Sequence, residues 1–194
     1  CGHRYDALFI DALGHSFTQY ISDGNATLDA DGTKTAQCDR GCGQTHTVTD
    51  EGSRLNSTLS SNVYRIEEET IHCVSAGTTA AQFCANLSSK NVQLLKDGTP
   101  LPDNDIVGTG TVVQLLQGAQ VVRSWCIVVT GDVNGDGKIT VTDMIATKSH
   151  LLGKSKFTGA AEKAADTNAD GKISITDFIQ LKAHILGKSA VAPN

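Results

Sequence analysis

Two segments of the chain repeat one another, and both consist of residues that bind a hard cation. The first reads Asp-Val-Asn-Gly-Asp-Gly-Lys-Ile-Thr-Val-Thr-Asp from Asp132 to Asp143, and the second reads Asp-Thr-Asn-Ala-Asp-Gly-Lys-Ile-Ser-Ile-Thr-Asp from Asp166 to Asp177. Ca²⁺ takes about six to eight oxygen ligands, and a twelve-residue loop supplies them from its positions 1, 3, 5, 7, 9 and 12. The spacing therefore predicts two calcium ions. Their predicted ligands are Asp132, Asn134, Asp136, Lys138 through its carbonyl, Thr140 and Asp143, and then Asp166, Asn168, Asp170, Lys172 through its carbonyl, Ser174 and Asp177.

The residue in the middle of each loop supports this interpretation. Gly137 and Gly171 occupy position 6, where the chain turns sharply and where glycine adopts a positive φ at little cost. The alternative is a pair of unrelated turns, since Asp, Asn and Gly dominate turns in general. Two matches in the same register favour a duplicated calcium site over that alternative.

The residues around the loops separate them from an ordinary pair of EF-hands, in which a helix stands on both sides of each loop. The run from Trp125 to Gly131 is rich in β-branched residues and predicts a strand before the first loop. Position 12 is Asp in both copies, where the usual motif has Glu. A calcium buffer or sensor of the EF-hand kind is therefore disfavoured. Tandem half-sites, each made of a loop and one exiting helix, resemble the type I dockerin family over residues 131–188.

The resemblance implies a function. Dockerins are calcium-dependent modules that attach extracellular enzymes to cohesin modules on a scaffolding protein or on the bacterial surface. The expected protein is secreted or attached to the cell surface, and its expected partner is a cohesin of a cellulosome-like scaffold. Since the contact positions of the family occur twice, either two similar faces or a single face would bind the cohesin. These positions fall on Val141, Thr142, Lys148 and Ser149, and on Ile175, Thr176, Lys182 and Ala183.

A helical pattern follows each loop. Apolar residues recur at helical spacing from Met144 to Leu152 and from Phe178 to Leu186, and most of them are predicted to form a core, because so small a domain has little else to bury. A glycine after each pattern is predicted to end the helix. The segment 159–165 favours a third helix that joins the two halves. The prediction is an all-α domain of three helices within residues 131–194.

A second unit is predicted for residues 62–130. Residues 63–66 alternate like a strand, residues 77–87 have helical spacing after a threonine cap, and three later segments have strand character between glycine turns. This order favours a small α+β module of β-grasp type, with an immunoglobulin-like sandwich as the alternative. The unit is similar to modules that precede dockerins in secreted proteins of anaerobic bacteria. Its predicted roles are spacing and bracing, because it contains no recognisable nucleophile, base or carboxylate pair.

Three cysteines lie in this unit. Cys84 falls on the apolar side of the predicted helix and Cys126 alternates within a strand, so both are predicted to be small core residues. A disulfide between Cys73 and Cys84 is the alternative in an exported protein. The sequence alone does not fix the pairing.

Residues 1–61 form the remaining predicted segment, which is rich in loops. Residues 13–27 and 31–42 resemble short Cys/His tandem repeats of bacterial surface proteins. Cys38 and Cys42 have the spacing of a zinc knuckle, so a zinc site, a disulfide and free thiols are all open interpretations. The further candidate zinc ligands are Cys1, His3, His15 and His46.

Composition and charge exclude several classes of function. The formal net charge is -5, and the clustering of basic residues that nucleic-acid binding needs is absent. No apolar run approaches the roughly 18 residues of a membrane span. Cys1 in place of an initiating Met indicates a fragment of a longer chain. The scattered histidines have no Ser or Cys partner in a catalytic setting, so the region is predicted to be non-catalytic, with any catalysis in an upstream domain.

Overall fold

The computed structural model of the chain describes residues 14–192. The candidate zinc ligands Cys1 and His3 lie outside the described residues. The chain divides into two compact units, Cys1–Asn56 and Ser57–Asn194. Within the described part of the chain, no helix is long and apolar enough to cross a membrane.

The first unit contains a three-stranded antiparallel sheet with its strands in chain order. The sheet is linked by polar groups, since the hydroxyls of Thr33 and Thr35 both donate hydrogen bonds to the carboxylate of Asp23. Among the described residues of this unit, Ala36 and Cys38 are the only buried hydrophobic side chains. The unit therefore has little apolar core to stabilise it. Its strands are β1 (Tyr20–Ser22), β2 (Thr33–Gln37) and β3 (Thr45–Thr49).

The second unit begins with one mixed sheet of six strands. These are β4 (Arg65–Ile66), β5 (Thr70–His72), β6 (Val92–Lys96), β7 (Thr99–Pro100), β8 (Val112–Gln117) and β9 (Gln120–Ile127). Their order in the sheet is β4-β5-β9-β8-β6-β7, and only β5 and β9 are parallel neighbours. The strands predicted after residue 91 correspond to β6, β8 and β9. The short strand β5 was not predicted, because three residues are too few to show an alternating pattern.

One helix, α1 (Ala80–Ala85), packs against this sheet. It begins at Thr79, whose side chain accepts a hydrogen bond from the backbone of Gln82 while the Gln82 side chain accepts one from the backbone of Thr79. Its Phe83 is fully buried in a core that includes Val113 and Ile127 of the sheet. A sandwich needs two packed sheets, whereas the described residues of this unit form a single sheet. The more specific β-grasp assignment stays a prediction.

The cysteines of this unit are free thiols. Cys73 and Cys84 therefore do not form the disulfide that the sequence left open. Cys84 is half-buried and packs against the core around Phe83, and Cys126 is also half-buried. Burial raises the pKa of both Cys84 and Cys126. Cys84 therefore serves as a small, weakly reactive packing group.

Three helices follow the sheet within the second unit. They are α2 (Val141–Leu151), α3 (Ala160–Ala165) and α4 (Ile175–Ile185). Each repeated loop leads directly into α2 or α4, and these two helices pack against one another. Gly153 and Gly187 lie just beyond α2 and α4 with φ values of 69° and 65°, in the left-handed region where helices commonly end.

The prediction that most apolar residues of the two helical patterns form a core is confirmed only in part, since Leu181 is buried and four others are half-buried: Met144, Leu151, Phe178 and Ile185. Leu181 is fully buried, but the small core of this region is formed by Val128, Val133, Ala164 and Ala165, which lie outside both helices. The other four apolar residues of the two patterns are exposed: Ile145, Leu152, Ile179 and Leu186.

The sheet and the three helices are joined by hydrogen bonds within the second unit. The Lys163 ammonium of α3 donates to the Thr70 hydroxyl of β5 over 3.2 Å. The sequence placed domain boundaries at residues 61/62 and 130/131, whereas the structure groups Ser57–Asn194 together. A functional boundary at 130/131 stays a prediction.

Candidate calcium loops and partner surface

The first repeated loop is organised around the buried carboxylate of Asp132. One oxygen accepts the N–H of Gly135 at 2.8 Å, and the other accepts the N–H groups of Gly137 and Thr109, each at 2.9 Å. The donors in the loop are three and five residues after Asp132, so a short side chain that folds back on its own turn is needed. Asp132 is completely buried.

The next predicted ligands continue the same pattern. The side-chain oxygen of Asn134 accepts the N–H of Asp136 at 2.9 Å, and the carboxylate of Asp136 accepts the N–H of Lys138 at 2.9 Å. The amide of Asn134 also lies 3.1 Å from an oxygen of Asp136. These contacts hold the polar ends of the two side chains together on one side of the loop.

Asp143, at position 12, closes the first loop and caps the following helix. One oxygen accepts the N–H groups of Val133 and Asn134 at 3.1 and 3.2 Å, and the other accepts the N–H of Thr140 at 2.9 Å. Thr140 is the N-cap of α2, so Asp143 completes a capping box with it. An aspartate is short enough to serve the cap and still face back into the loop.

The second loop repeats this arrangement. Asp177 accepts the N–H groups of Thr167 and Asn168 with one oxygen and that of Ser174 with the other, at 2.9, 3.3 and 2.8 Å. Ser174 is the N-cap of α4. Asp166 accepts the N–H of Gly171 at 2.7 Å. The two loops are therefore alike in structure as well as in sequence.

Three carboxylates of these loops are completely buried: Asp132, Asp143 and Asp177. Within residues 14–192, no nitrogen of a Lys, Arg or His side chain lies within 4.0 Å of any of them. Burial raises the pKa of Asp132, and the nearby charge of Asp143 adds to this effect, while the N–H donors oppose it. A buried anion is costly unless a cation accompanies it. The donor set of carboxylate, amide and carbonyl oxygens suits a hard divalent cation such as Ca²⁺.

The two loops differ in their surroundings. Asp166 is partly exposed, whereas Asp132 is buried beneath Thr109. The ammonium of Lys96 on β6 donates to the carbonyl of Gly135 at 2.7 Å, and the N–H of Gly77 donates to the carbonyl of Gly137 at 2.8 Å. The described residues provide no equivalent hydrogen bonds to the second loop from the sheet region. The sheet therefore braces the first loop only.

The two loops also differ in the residue at position 4. Gly135 has a φ of 76°, and its counterpart Ala169 has a φ of 56°. A Cβ on Gly135 would lie 2.5 Å from the carbonyl oxygen of Thr109, whereas the second loop accommodates the methyl group of Ala169. Sequence reasoning missed the bracing residues Thr109, Lys96 and Gly77. The only sign of this bracing in the sequence was the difference between Gly135 and Ala169 at position 4 of two otherwise matched loops.

The predicted partner-binding residues all lie on α2 and α4. Six of the eight are exposed: Val141, Thr142, Lys148, Ile175, Thr176 and Lys182. Ser149 and Ala183 are half-buried. The structure thus places most of these side chains where another protein could contact them.

Exposed apolar side chains extend this surface in both halves. In the first half Ile145 and Leu152 are 56% and 60% exposed, and in the second half Ile179 and Leu186 are 56% and 57% exposed. Each residue of one pair occupies the same place in the repeat as its counterpart in the other. Contiguous exposed apolar side chains mark interaction sites on soluble proteins. Sequence reasoning missed these residues because their helical spacing is equally typical of a core.

The two histidines of the helices also occupy matched positions. The ring of His150 accepts the N–H of Phe157 at 2.9 Å, and the ring of His184 accepts the N–H of Val191 at 3.1 Å. Each histidine therefore ties down the chain that follows its helix. The two histidines therefore occupy equivalent positions in the two halves, as the duplication predicts.

In the first unit, three of the candidate zinc ligands come together. The side-chain donor atoms of His15, Cys38 and Cys42 lie within 4.8 Å of one another. His46, another candidate, instead bonds to the hydroxyl of Tyr20 through its ring at 2.7 Å. Cys38 and Cys42 are free thiols, so the disulfide considered from the sequence is not formed.

Comparison with known proteins identifies one region of the chain. Residues 130–186 match the family model of the dockerin type I domain. No curated protein matched the chain. The chain is also similar to a solved structure from Acetivibrio cellulolyticus, which shows the third cohesin of ScaC in complex with the ScaB dockerin carrying a mutation in its N-terminal helix. The sequences are 28% identical, the match covers 34% of this chain and 92% of that chain, and the TM-score is 0.32. The resemblance inferred from the repeated loops is thus confirmed, and residues 130–186 are recognised as a type I dockerin domain.

Proposed function

We propose that residues 131–188 form a calcium-dependent dockerin that attaches this protein to a cohesin module of a cellulosome-like scaffold or of the cell surface. The observation that carries the proposal is the set of buried carboxylates Asp132, Asp143 and Asp177, which have no protein cation beside them in the described residues. Two such loops in a region that matches the dockerin type I model support calcium binding at both. The protein is accordingly a secreted or surface-attached one.

In this proposal, calcium binding and the shape of the partner surface depend on the same residues. Asp143 and Asp177 bind one ion each and also cap α2 and α4, the helices that carry the partner-binding positions. When Ca²⁺ is bound, it neutralises the carboxylates that otherwise repel one another within each loop. The chain itself keeps the helix caps in place, and the caps fix the directions in which the exposed side chains of both helices project.

The cohesin binds the exposed apolar surface of α2 or α4. Ile145 and Leu152 provide the apolar contacts of the first face, and Ile179 and Leu186 those of the second. The eight predicted partner-binding residues surround them. Because the two sets are matched, each face offers the cohesin nearly the same contacts, and two orientations of the complex are expected.

Residues 62–130 brace the dockerin and have no catalytic role. Three hydrogen bonds from Thr109, Lys96 and Gly77 hold the first calcium loop. Any catalytic activity of the whole protein belongs to another domain, since a dockerin is a non-catalytic module. The three predicted domains, residues 1–61, 62–130 and 131–194, are proposed as functional divisions on this basis.

The test is calorimetric titration of the full chain with a panel of purified cohesin modules, in calcium and in excess chelator. We expect two calcium ions per chain and binding of at least one cohesin that chelation abolishes. The double variant Asp143→Ala, Asp177→Ala should lose both calcium binding and cohesin binding. The variant Glu162→Gln, which removes an exposed carboxylate outside the loops, is the matched control and should retain both.

The outcomes separate the alternatives. Calcium binding without binding to any cohesin of the panel would favour an EF-hand-like calcium module that has no cohesin partner. Failure to bind calcium at millimolar concentration would overturn the proposal as a whole. In the proposal, the calcium ligands Asp143 and Asp177 also cap the two helices that contact the cohesin.

A further inference from the structure

The ligand cluster of the first unit has a geometry of its own. The ring Nδ1 of His15 lies 3.1 Å from the Sγ of Cys42, and one ring nitrogen of His15 and the two Sγ atoms of Cys38 and Cys42 all lie within 4.8 Å of one another. Two ligands of one tetrahedral Zn²⁺ ion are separated by roughly 3.5–3.8 Å, given Zn–S and Zn–N bonds of about 2.3 and 2.0–2.1 Å. Small movements of the side chains would therefore place all three atoms on one ion.

The fold constructs this cluster from a tight turn between β2 and β3. The N–H of Cys38 donates to the carbonyl of Gln44 at 2.8 Å, and the N–H of Gly41 donates to the carbonyl of Cys38 at 3.0 Å. Gly41 has a φ of 69°, which a side chain would disfavour. The turn brings the thiol of Cys42 back toward that of Cys38.

A second set of hydrogen bonds fastens the segment that carries His15 to this turn. The N–H of Asp39 donates to the carbonyl of Ser16 at 2.9 Å, and the Asp39 carboxylate accepts the hydroxyls of Ser16 and Thr18 at 2.8 and 3.1 Å. The guanidinium of Arg40 donates to the carbonyl of Gly14 at 2.6 Å. These four bonds flank the cluster on both sides and fix the position of His15 relative to the two cysteines.

The chemistry of the donors selects the ion. Two thiolates and one imidazole are soft and borderline ligands, which favour Zn²⁺ over Ca²⁺ or Mg²⁺. Within residues 14–192, no further His, Cys, Asp or Glu joins the cluster. Since His15 and Cys42 are exposed, solvent reaches the ion.

We propose that His15, Cys38 and Cys42 form a zinc site in which these three are the protein ligands among the described residues and the fourth position is open to a water molecule. The site is separate from the calcium loops and does not rest on the dockerin function. It stabilises the first unit, whose described residues include only two buried hydrophobic side chains. Small domains with so little core commonly depend on a metal ion or on disulfides.

The experiment uses the full chain, fully reduced, stripped of metal and saturated with calcium. Titration with Zn²⁺ and, separately, with Co²⁺ should give one ion per chain, with the thiolate-to-cobalt absorption of a tetrahedral site. X-ray absorption of the zinc form should give two sulfur and two nitrogen or oxygen ligands. The variants Cys42→Ser and His15→Ala should weaken zinc binding at least about a hundredfold, more than changes to residues that only hydrogen-bond to the ligands do.

The controls are Cys84→Ser, a half-buried thiol of the other unit, and His46→Ala, the nearby histidine that bonds to Tyr20. Both should bind zinc as the wild-type chain does. Because a ligand variant could lose the fold of the first unit, the thermal stability of wild-type chain is also measured with and without zinc, and a rise with zinc is expected.

Three results would overturn the proposal. One is no uptake of zinc by the reduced chain. Another is a third sulfur ligand, which would show that the fourth position is filled by protein. The last is a purified chain lighter by two hydrogen atoms with Cys38 linked to Cys42, which would make the cluster a disulfide instead.

Discussion

The backbone N–H of Thr109 donates a 2.9 Å hydrogen bond to the carboxylate of Asp132, and this bond links the turn before β8 to the first residue of the first repeated loop. Asp166, which corresponds to Asp132 in the second loop, is partly exposed, and Thr109 has no counterpart there among the described residues. The same twelve-residue pattern therefore lies in two different environments. The two sites are expected to differ in calcium affinity and in stability.

The first prediction concerns Gly108. A Cβ on this residue would lie 2.2 Å from the carbonyl oxygen of Gly135, so Gly108→Ala would force the bracing segment and the first loop apart. Overpacking of this kind costs about 1–3 kcal/mol. We expect calorimetry to show one calcium ion bound more weakly and the other unchanged.

Gly14→Ala is the matched control for that change, because Gly14 also lacks a positive φ and has no neighbour within 4 Å of an added Cβ. It should leave both calcium affinities unaltered. Equal weakening of both ions by Gly108→Ala would contradict the assignment of the brace to the first loop.

The second prediction concerns the two matched faces. Ile145 and Ile179 are each 56% exposed, so replacing either by Glu should not disturb the fold. If a cohesin binds either face, Ile145→Glu alone or Ile179→Glu alone should reduce affinity only about twofold, since one of two equal binding modes remains. The double variant should reduce affinity far more than the two single effects combined.

Charge reversal provides an independent version of this test. Lys148→Glu and Lys182→Glu, at exposed and matched positions, should show the same non-additivity. Surface plasmon resonance with a cohesin that binds the wild-type chain measures all of these variants. Abolished binding in one single variant with no effect in its counterpart would mean that only one face is used.

The extent to which the sequence predicted these features follows from the range of the interactions involved. The ligand positions of the loops and the ends of the helices depend on residues a few positions apart, so short-range patterns predicted them. The contact of Thr109 with Asp132 joins residues far apart in the chain, and no local pattern encodes it. The exposure of Ile145 could not be predicted either, since the same spacing is typical of core and of docking residues.

The third prediction concerns the pH dependence of stability in the second unit. Burial lowers the pKa of His72, and the charges of Arg65 and Lys163 lower it further, while Glu67 raises it. The folded state therefore binds a proton less readily than the unfolded state, whose histidine has a pKa of about 6.5. The stability that neutral His72 provides is present above pH 6.5 and is lost as the pH falls below that value, by less than about 1.4 kcal/mol for each pH unit.

His72→Gln is the variant that tests this, because glutamine retains a partner for the Thr70 hydroxyl that His72 contacts at 2.9 Å. Urea unfolding of both proteins in saturating calcium, between pH 7.5 and 5.5, should show a steeper loss of unfolding free energy for the wild-type chain. Parallel curves for the two proteins would exclude His72 as a contributor.

The fourth prediction is that the first unit does not contribute to cohesin binding. The chain divides after Asn56, and none of the predicted partner-binding residues precedes that point. A chain truncated to residues 57–194 should bind two calcium ions and its cohesin with unchanged affinity. A tenfold loss of cohesin affinity would mean that the first unit forms part of the binding surface.

The fifth prediction concerns the order in which the two halves lose structure when calcium is removed. Without the ion, the carboxylates of each loop repel one another, and the caps that Asp143 and Asp177 provide for α2 and α4 are weakened. The first loop keeps its hydrogen bonds to Thr109, Lys96 and Gly77, and these three residues form no such bonds to the second loop. We therefore expect the second half to open first.

Hydrogen exchange measured by mass spectrometry, in calcium and after chelation, tests this order. In calcium, the amides of α2 and α4 should be protected to a similar degree, because the two helices pack on one another and have the same type of cap. After chelation, α4 should lose protection earlier than α2. In the variant Lys96→Met, which removes the 2.7 Å hydrogen bond to the Gly135 carbonyl while keeping the unbranched stem of the side chain, the difference between the helices should become smaller. Earlier loss of protection in α2 than in α4 would contradict the stabilising role of the sheet.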